Sequence, residues 1–336
     1  MKKMIGLTIA AILVAIGALI FVIAMSMNGW DFKNLGSSNF ETNPHEIKED
    51  FSGIDILTDT ADISIFPSED GECKVICYER EAQNHTVEVE GGKLTVKIND
   101  TRRWYQRLFN FGQGKISVYI PKAEYSSLFL KTDTGDVEIA DFKFGTVQIN
   151  GSTGDIKSSA SVSGSLNINL STGDATLSTL SAGEITVKCS TGDIKIENIK
   201  TNGANLSVST GRVSVINSEL SGDLKIKVST GKSYLENLKC KSLVSEGDTG
   251  DLSMKNVVAS GSFNIDRSTG DVTFDACDAF EIKVQTSTGS VRGTLLSEKF
   301  FIAKTDTGRV EVPKTRNGGN CEITTDTGNI IIDLIP

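Results

Sequence analysis

The chain has 336 residues, of which 38% are hydrophobic and 23% are charged. This balance is that of a folded protein and excludes general disorder. The net charge of −9 repels phosphate backbones and excludes nucleic acid as a partner. The presence of only two histidines, His45 and His85, argues against a histidine metal cluster or a Ser-His-Asp site built from several repeats.

Residues 1–27 are predicted to form a transmembrane signal anchor. Lys2 and Lys3 precede an uncharged run over residues 4–27, which as a helix would be about 36 Å long and exceed the roughly 30 Å hydrocarbon core of a bilayer. The alternative is a cleavable signal with its cleavage site at Ala24-Met25-Ser26, although such signals usually have an apolar stretch of only about 7 to 15 residues. The two lysines would keep the N-terminus in the cytoplasm. We therefore expect a single-pass cell-membrane protein with the bulk of the chain extracellular.

Residues 28–50 are polar and are expected to form a linker. Residues 51–132 contain alternating stretches such as "GIDILTDTADISIF" and "KISVYIP", which predict strands of irregular length. Gly91-Gly92 lies between two such stretches and predicts a β-hairpin turn. We expect residues 51–132 to begin the regular fold that follows and to cap its end.

Arginines and aromatic residues alternate in "TRRWYQRLFNFGQG", residues 101–114, and interrupt the strand pattern. One interpretation is an apolar plug over the open end of the fold. The other is an interfacial membrane contact close to the anchor. The candidate contact residues are Arg102, Arg103, Trp104, Tyr105, Arg107 and Phe109.

Residues 133–336 contain eleven Thr-Gly pairs that are 19 or 20 residues apart, a period that marks a solenoid. The residue before Thr is Asp in four copies and Ser in seven. Asp-Thr-Gly also carries the catalytic acid of aspartic proteases. Serine can replace aspartate where a side-chain oxygen caps a turn, but it cannot replace a carboxylate that activates water. The tripeptide is therefore predicted to be a structural turn. Its glycines are Gly135, Gly154, Gly173, Gly192, Gly211, Gly231, Gly250, Gly270, Gly289, Gly308 and Gly328.

Apolar residues alternate with polar ones on both sides of each glycine. The position two residues after it is apolar in all copies but one, where Ser233 stands, and the position five residues before it is apolar in ten of eleven copies. A second glycine, such as Gly164 or Gly183, is expected to mark the opposite turn of the repeat. The pattern predicts an all-β, single-stranded parallel β-solenoid of about eleven coils, spaced about 4.8 Å apart. The crossover rule favours a right-handed β-helix.

The position after the repeat glycine carries aspartate in four successive coils. One interpretation is that these carboxylates face solvent and bond turn amides. The other is a row of Ca²⁺ sites, because oxygen-rich glycine turns ligate calcium outside the cell. The four residues are Asp136, Asp155, Asp174 and Asp193.

No cofactor other than calcium is expected. The stretch "STGKS" at 229–233 resembles the end of a phosphate-binding loop, but Ile226 stands where that loop requires glycine. Cys189, Cys277 and Cys321 fall at inward positions of the repeat, and we expect them to be buried free thiols.

The chain ends in "NIIIDLIP", with Ile331 expected to face outward at an unprotected strand edge. An exposed edge can pair with another chain. End-to-end self-association through Ile331 and Leu334 is therefore an open alternative.

The sequence resembles the bacterial putative-adhesin family of unknown function. The resemblance rests on "FSGIDILTDTADISIFPSEDG", "ISVYIPKAEYSSLFLKTDTGDVEI" and the repeated STGD turns, and it extends over roughly residues 50–336. It implies a membrane-anchored β-solenoid in a cell envelope, of a kind common in Gram-positive bacteria, without catalytic residues.

The expected function is thus non-enzymatic: a cell-surface rod that presents a rigid face to an envelope protein or a cell-wall polymer. A self-assembling β-helical scaffold is the alternative. A polysaccharide-active β-helix enzyme is a lesser one, since the outward columns contain no acidic cluster.

Overall fold

The computed structural model describes residues 2–27, 40–102, 112–315 and 317–335. Within these ranges the single helix, α1, spans Lys2–Met27. Among the described residues, no helix combines the length and the apolar character that a membrane crossing requires. The predicted transmembrane helix over residues 4–27 is therefore not shown by the structure.

The repeats form a parallel β-solenoid, as predicted. Each regular coil has one strand before the repeat glycine and one after it, and the first is the longer in most coils. Each strand pairs in parallel with the equivalent strand of a neighbouring coil, as Val187 does with Leu206. The first ten of these strands are β8 (Glu124–Thr134), β9 (Val137–Ile139), β10 (Lys143–Thr153), β11 (Ile156–Ser158), β12 (Ser161–Thr172), β13 (Ala175–Ser178), β14 (Ser181–Thr191), β15 (Ile194–Glu197), β16 (Lys200–Thr210) and β17 (Val213–Leu220).

The remaining ten continue the same stack, and in two of them the segments of neighbouring coils merge into one long strand. They are β18 (Leu224–Thr230), β19 (Ser233–Cys240), β20 (Leu243–Thr249), β21 (Leu252–Thr269), β22 (Val272–Thr288), β23 (Val291–Leu295), β24 (Phe300–Thr307), β25 (Val310–Glu311), β26 (Asn320–Thr327) and β27 (Ile330–Leu334).

The core runs along the axis of the solenoid. The apolar columns on either side of the repeat glycine point inward, so Ile185, Val187, Ile194 and Ile196 of one coil are all at most 3% exposed. Because the same positions are apolar in neighbouring coils, the stacked columns form one continuous core.

The corner opposite the Thr-Gly turn differs from the prediction. The residue six positions after the repeat glycine has a left-handed conformation in six successive coils, and in four of them it is asparagine. Asparagine tolerates this conformation better than most residues. The second glycines lie elsewhere: Gly164 and Gly183 are inside β12 and β14, where a side chain would meet the backbone of the preceding coil.

The N-terminal end contains an additional coil that the Thr-Gly count missed. Strands β2 (Gly53–Leu57) and β3 (Ala61–Pro67) pair with β8 and β9. Thr60 forms a bridge with Thr134, so Asp59-Thr60-Ala61 is a repeat turn with alanine in place of glycine.

Five more strands close this end: β1 (Phe40–Ile47), β4 (Cys73–Arg80), β5 (Gln83–Glu90), β6 (Lys93–Asp100) and β7 (Gly114–Ile120). Strands β6 and β7 cover the outer edges of β2 and β3. The β5–β6 hairpin turns at Gly91-Gly92 as predicted, and β1, β4 and β7 form an antiparallel sheet.

The C-terminal end is built out of sequence order. The last coil, β26 and β27, lies between the coil of β22 and β23 and the coil of β24 and β25: Glu322 pairs with Lys283 on one side and with Ile302 on the other. Lys299, which precedes β24, is 3% exposed, and its Nζ lies 2.7 Å from Asp278 Oδ1. This ion pair fixes the connection from β23 to β24, which passes over the position in the stack that β26 and β27 occupy.

The prediction that Ile331 lies at an unprotected strand edge is therefore wrong. Ile331 pairs with Arg292 of β23 on one side and with Glu311 of β25 on the other. The terminal coil of the solenoid is instead β24 and β25. Its side chains include Phe300, Ile302 and Val310, which are 47%, 51% and 40% exposed.

Candidate functional site

A groove follows the asparagine corner of the solenoid over six coils. It encloses about 650 Å³. The side-chain amide of Asn256 donates to Asn237 Oδ1 at 3.0 Å, and that of Asn237 donates to Asn217 Oδ1 at 2.8 Å. These bonds form an amide ladder along the axis, and we call this surface, lined by Asn198, Asn217, Asn237, Asn256, Lys200, Glu219, Lys239, Val258 and Leu296 among others, the asparagine groove.

Charges of alternating sign border the asparagine groove. Lys200 pairs through its backbone with Glu219 of the next coil, and Glu219 pairs with Lys239 of the one after. All three side chains are exposed. At one end the wall becomes apolar, because Val258 and Leu296 are 37% and 44% exposed. The groove thus offers hydrogen-bonding amides, both charges and an apolar patch on a rigid support.

The aspartate column carries structural hydrogen bonds. The backbone amide of Asp174 donates to Asp155 Oδ1 at 2.9 Å, and the same bond recurs from Asp155 to Asp136 and from Asp193 to Asp174. Asp62 of the additional coil extends the column, accepting from the amide of Asp136. Each carboxylate therefore ties its turn to the next coil. Calcium binding by Asp136, Asp155, Asp174 and Asp193 stays a prediction.

The repeat glycines bring successive turns into close contact. Gly192 has a φ of 134°, and a Cβ on it would overlap the carbonyl oxygen of Gly173. The other ten repeat glycines share a φ between 130° and 158°. Few other residues adopt this conformation.

Only Arg102 of the candidate membrane-contact residues is described. Its guanidinium lies 2.9 Å from Asp100 Oδ1, and its side chain is 9% exposed. The membrane contact over Arg103, Trp104, Tyr105, Arg107 and Phe109 lies outside the described residues and stays a prediction.

A buried arginine, which the repeat pattern did not reveal, crosses the core. Arg267 is 1% exposed, and its Nη2 donates to Ser245 Oγ at 2.7 Å and lies 3.4 Å from Ser233 Oγ. Burial lowers the pKa of Arg267, and nearby Asp266 and Asp251 oppose this shift. The sequence does contain departures from the repeat that could have indicated this group. Ser233 and Ser245 are each the one polar residue in an otherwise apolar column, and Gly247 leaves room for the guanidinium.

The strands of the N-terminal cap gather a second buried polar group. His85 Nδ1 lies 2.7 Å from Glu79 Oε2, and His85 Nε2 lies 2.9 Å from Thr58 Oγ1. Asn43 Nδ2 donates to Glu79 Oε1 at 2.7 Å. Burial raises the pKa of Glu79, but hydrogen bonds from His85 and Asn43 more than offset it, and the net shift is downward. Spacing along the sequence could not reveal this group, because three separate strands and a turn supply it.

All six cysteines are free thiols and are buried. Burial raises the pKa of Cys189 and Cys277 to about 11 and that of Cys321 to about 12. Such thiols react slowly, because the thiolate is the nucleophile. Cys189, Cys277 and Cys321 thus fill the core, as their positions in the repeat predict.

Stacked coils with a continuous core define the protein as a parallel β-solenoid of the repeat class. Within that class the chain belongs to the Toastrack DUF4097 family, whose model matches residues 51–235 and 214–335. This membership confirms the resemblance to the bacterial putative adhesins. No curated protein matches the chain.

Several solved structures are similar to the chain at low sequence identity. A "putative adhesin" from Bacteroides fragilis is 16% identical, with 88% of this chain and 98% of that chain covered and a TM-score of 0.35. A "putative adhesin" from Parabacteroides merdae is 13% identical, with 77% and 97% covered and a TM-score of 0.48. A "putative lipid binding protein" from Parabacteroides distasonis is 19% identical, with 77% and 98% covered and a TM-score of 0.43.

Proposed function

We propose that the protein is a non-enzymatic surface rod that presents the asparagine groove to an envelope partner, either a cell-wall polymer or a protein. The amide ladder carries this proposal, because it repeats the same donor and acceptor groups along the axis at the coil spacing of about 4.8 Å. A regular row of this kind suits an extended partner that carries repeating polar groups. The rigid core keeps the groove in shape before binding, which reduces the entropic cost of association.

The composition of the groove favours binding over glycoside cleavage. Of the described residues that line it, Glu219 is the only carboxylate. Most glycoside hydrolases use a pair of carboxyl groups across the scissile bond. The aspartates of the turn column form a single row in which each accepts an amide of the next coil, and so they do not face one another across a cleft.

We also propose that residues 4–27 anchor the chain in the cell membrane, with the N-terminus in the cytoplasm and the solenoid outside. The support is the uncharged run of 24 residues behind Lys2 and Lys3. Extraction of membranes with alkaline carbonate tests the anchor. An anchored chain stays in the membrane pellet, whereas release into the supernatant contradicts the proposal.

The binding face is tested with the full chain in detergent micelles, mixed separately with purified cell wall and with membrane-protein extract. A Lys200→Glu/Lys239→Glu variant reverses the two positive charges of the groove. We expect at least a 10-fold loss of binding to the fraction that the wild type captures. The matched control is Lys157→Glu, an exposed lysine that lies outside the groove.

Two outcomes contradict the proposal. If neither fraction binds the wild type, the protein does not present a face to these partners. If Lys157→Glu weakens binding as much as the double variant does, the groove is not the contact and general charge is responsible.

A second candidate, a self-assembling scaffold, is favoured by the terminal coil. Strand β24 pairs with β26 on one side, and Phe300 and Ile302 are about half exposed. The contact would therefore involve Phe300 and Ile302 instead of the expected Ile331 and Leu334. Lys304 and Asp306 lie on the same strand, and charged residues on an edge strand oppose such pairing.

Sedimentation of the full chain in micelles at increasing concentration distinguishes the two candidates. Particles that grow with concentration, and that an Ile302→Lys variant reduces to one size, favour assembly. A constant size in both proteins favours presentation of the groove.

A further inference from the structure

The N-terminal cap brings three different metal-ligating side chains together. Cys77 and Glu79 are two residues apart on β4 and therefore lie on the same face of that strand. His85 lies near the start of β5. One ligand atom from each residue, the Cys77 sulfur, a Glu79 oxygen and a His85 nitrogen, lies within 4.8 Å of the other two. All three residues are buried.

Two of the three side chains are also oriented by further residues. Asn43 of β1 donates to Glu79 Oε1, which leaves Oε2 directed at the histidine. Thr58, just after β2, lies against His85 Nε2, which leaves Nδ1 directed at Glu79. Outer partners of this kind fix the orientation of histidine and carboxylate ligands in metal sites.

We propose that Cys77, Glu79 and His85 form a binding site for a divalent metal ion of the zinc type. Sulfur, nitrogen and carboxylate oxygen are the donors that zinc takes, and three protein ligands leave its fourth position for water. In a tetrahedral zinc site, with bond lengths of about 2.0–2.3 Å, two ligand atoms lie roughly 3.3–3.8 Å apart. The observed spacing of up to 4.8 Å must therefore contract by about 1 Å, and the 2.7 Å contact between His85 Nδ1 and Glu79 Oε2 must widen.

Metal binding replaces protons in this site. The ion enters between His85 Nδ1 and Glu79 Oε2, whose 2.7 Å hydrogen bond opens. The Nδ1 proton moves to Nε2, which then donates to Thr58 Oγ1, or to solvent if both ring nitrogens are protonated, and the Cys77 thiol loses its proton to solvent. Without a metal the same side chains form a hydrogen-bonded network.

The site connects the strands that close the N-terminal end. Glu79 on β4, His85 on β5, Asn43 on β1 and Thr58 after β2 all meet there. An ion that binds only the folded arrangement stabilises it by an amount that grows with the logarithm of the ratio of ion concentration to Kd. The metal would thus hold the cap on the solenoid.

The test uses the full chain in micelles, freed of metal with a chelator and titrated with Zn²⁺ and with Co²⁺. We expect one equivalent to bind, the melting midpoint to rise, and Co²⁺ to give a thiolate charge-transfer absorption band. Cys77→Ser should lose the band and at least 10-fold in affinity, and His85→Gln should lose a similar factor. The matched control is Cys189→Ser, a buried thiol of the regular coils that should retain both.

Absence of metal uptake by the wild type overturns the proposal and leaves only the hydrogen-bonded network. Equal losses in Cys77→Ser and Cys189→Ser also overturn it, because they would reflect damage to the core. If Cys77→Ser does not fold, X-ray absorption of the wild-type zinc complex decides. One sulfur ligand among nitrogen and oxygen ligands supports the site, and an all-nitrogen and oxygen shell rejects it.

Discussion

The guanidinium of Arg267 donates a 2.7 Å hydrogen bond to Ser245 Oγ inside the core of the solenoid. Three departures from the repeat, Ser233, Ser245 and Gly247, surround this side chain. They compensate one another in part: the serines accept hydrogen bonds from Nη2 and the glycine provides space, while Nε and Nη1 have no hydrogen-bond partner among the described residues. Because a buried charge is costly without partners, the four residues should behave as one unit.

Gly247→Ala tests this unit. A Cβ at this position would overlap Nη1 of Arg267, and the buried guanidinium cannot move aside freely. We expect the free energy of unfolding to fall by about 1–3 kcal/mol, as for other overpacked cores. Chemical denaturation measures the change. The control is Gly151→Ala in the same column, where only the end of the Leu170 side chain is close, and equal losses in both variants would refute the interpretation.

Gly192→Val should break the stacking of the Thr-Gly turns. The variant combines a strained φ with an overlap onto the Gly173 carbonyl, and both raise the energy of the folded coil. We expect new cleavage near residue 192 in limited proteolysis and a lower melting midpoint. Gly71→Val is the control, because Gly71 also has a positive φ but no atom within 4 Å of its Cβ position. A wild-type cleavage pattern for Gly192→Val would count against close approach as the role of this glycine.

Asp155→Ala and Asp155→Asn separate hydrogen bonding from charge in the aspartate column. Alanine removes the acceptor of the Asp174 amide, whereas asparagine keeps an oxygen in place and relieves repulsion between neighbouring carboxylates. We expect a loss of about 1 kcal/mol for alanine and little or none for asparagine. Thermal melting in chelator measures both. Equal losses would show that the charge matters, and a dependence on added calcium would favour the ion sites.

The order of the last three coils can be tested with engineered disulfides. Lys283 and Glu322 are direct neighbours on parallel strands, so their Cα atoms are about 4.8 Å apart, within the range of a disulfide. Lys283 and Ile302 are separated by the intervening coil, at about 9.6 Å, beyond that range. Mild oxidation should therefore cross-link Lys283→Cys/Glu322→Cys and leave Lys283→Cys/Ile302→Cys reduced. The opposite result would restore the sequential order of coils.

Acid should weaken the contact between Asp251 and the following coil. A hydrogen bond from the Asp271 amide and another from Lys232 lower the pKa of Asp251. A lowered pKa in the folded state adds stability that is present above the ordinary aspartate value and is lost as pH falls through the folded value. The difference in melting midpoint between the wild type and Asp251→Asn should thus shrink below about pH 4. The effect is small, because the side chain is 43% exposed and solvent screens it; a constant difference from pH 7 to pH 2 would contradict it.

The sequence by itself determined the solenoid, its period, its inward columns and the structural role of the Thr-Gly turns. The physical reason is that each coil repeats the same local solution, so one alternating pattern recurs every 19 or 20 residues. The Gly91-Gly92 hairpin was predictable for a similar reason, since a short turn specifies its own strands.

The tertiary structure alone decided which coils are neighbours at the ends and which polar groups meet. The edge of a coil can pair with any other coil of the same period. The sequence pattern therefore cannot show that β26 and β27 lie between two coils that precede them in the chain. The approach of His85 to Glu79 and Thr58, and of Arg267 to Ser233, depends on side chains from different strands. A repeat period predicts contacts only between residues that follow the repeat. These residues depart from it, so only the folded structure shows that they are close in space.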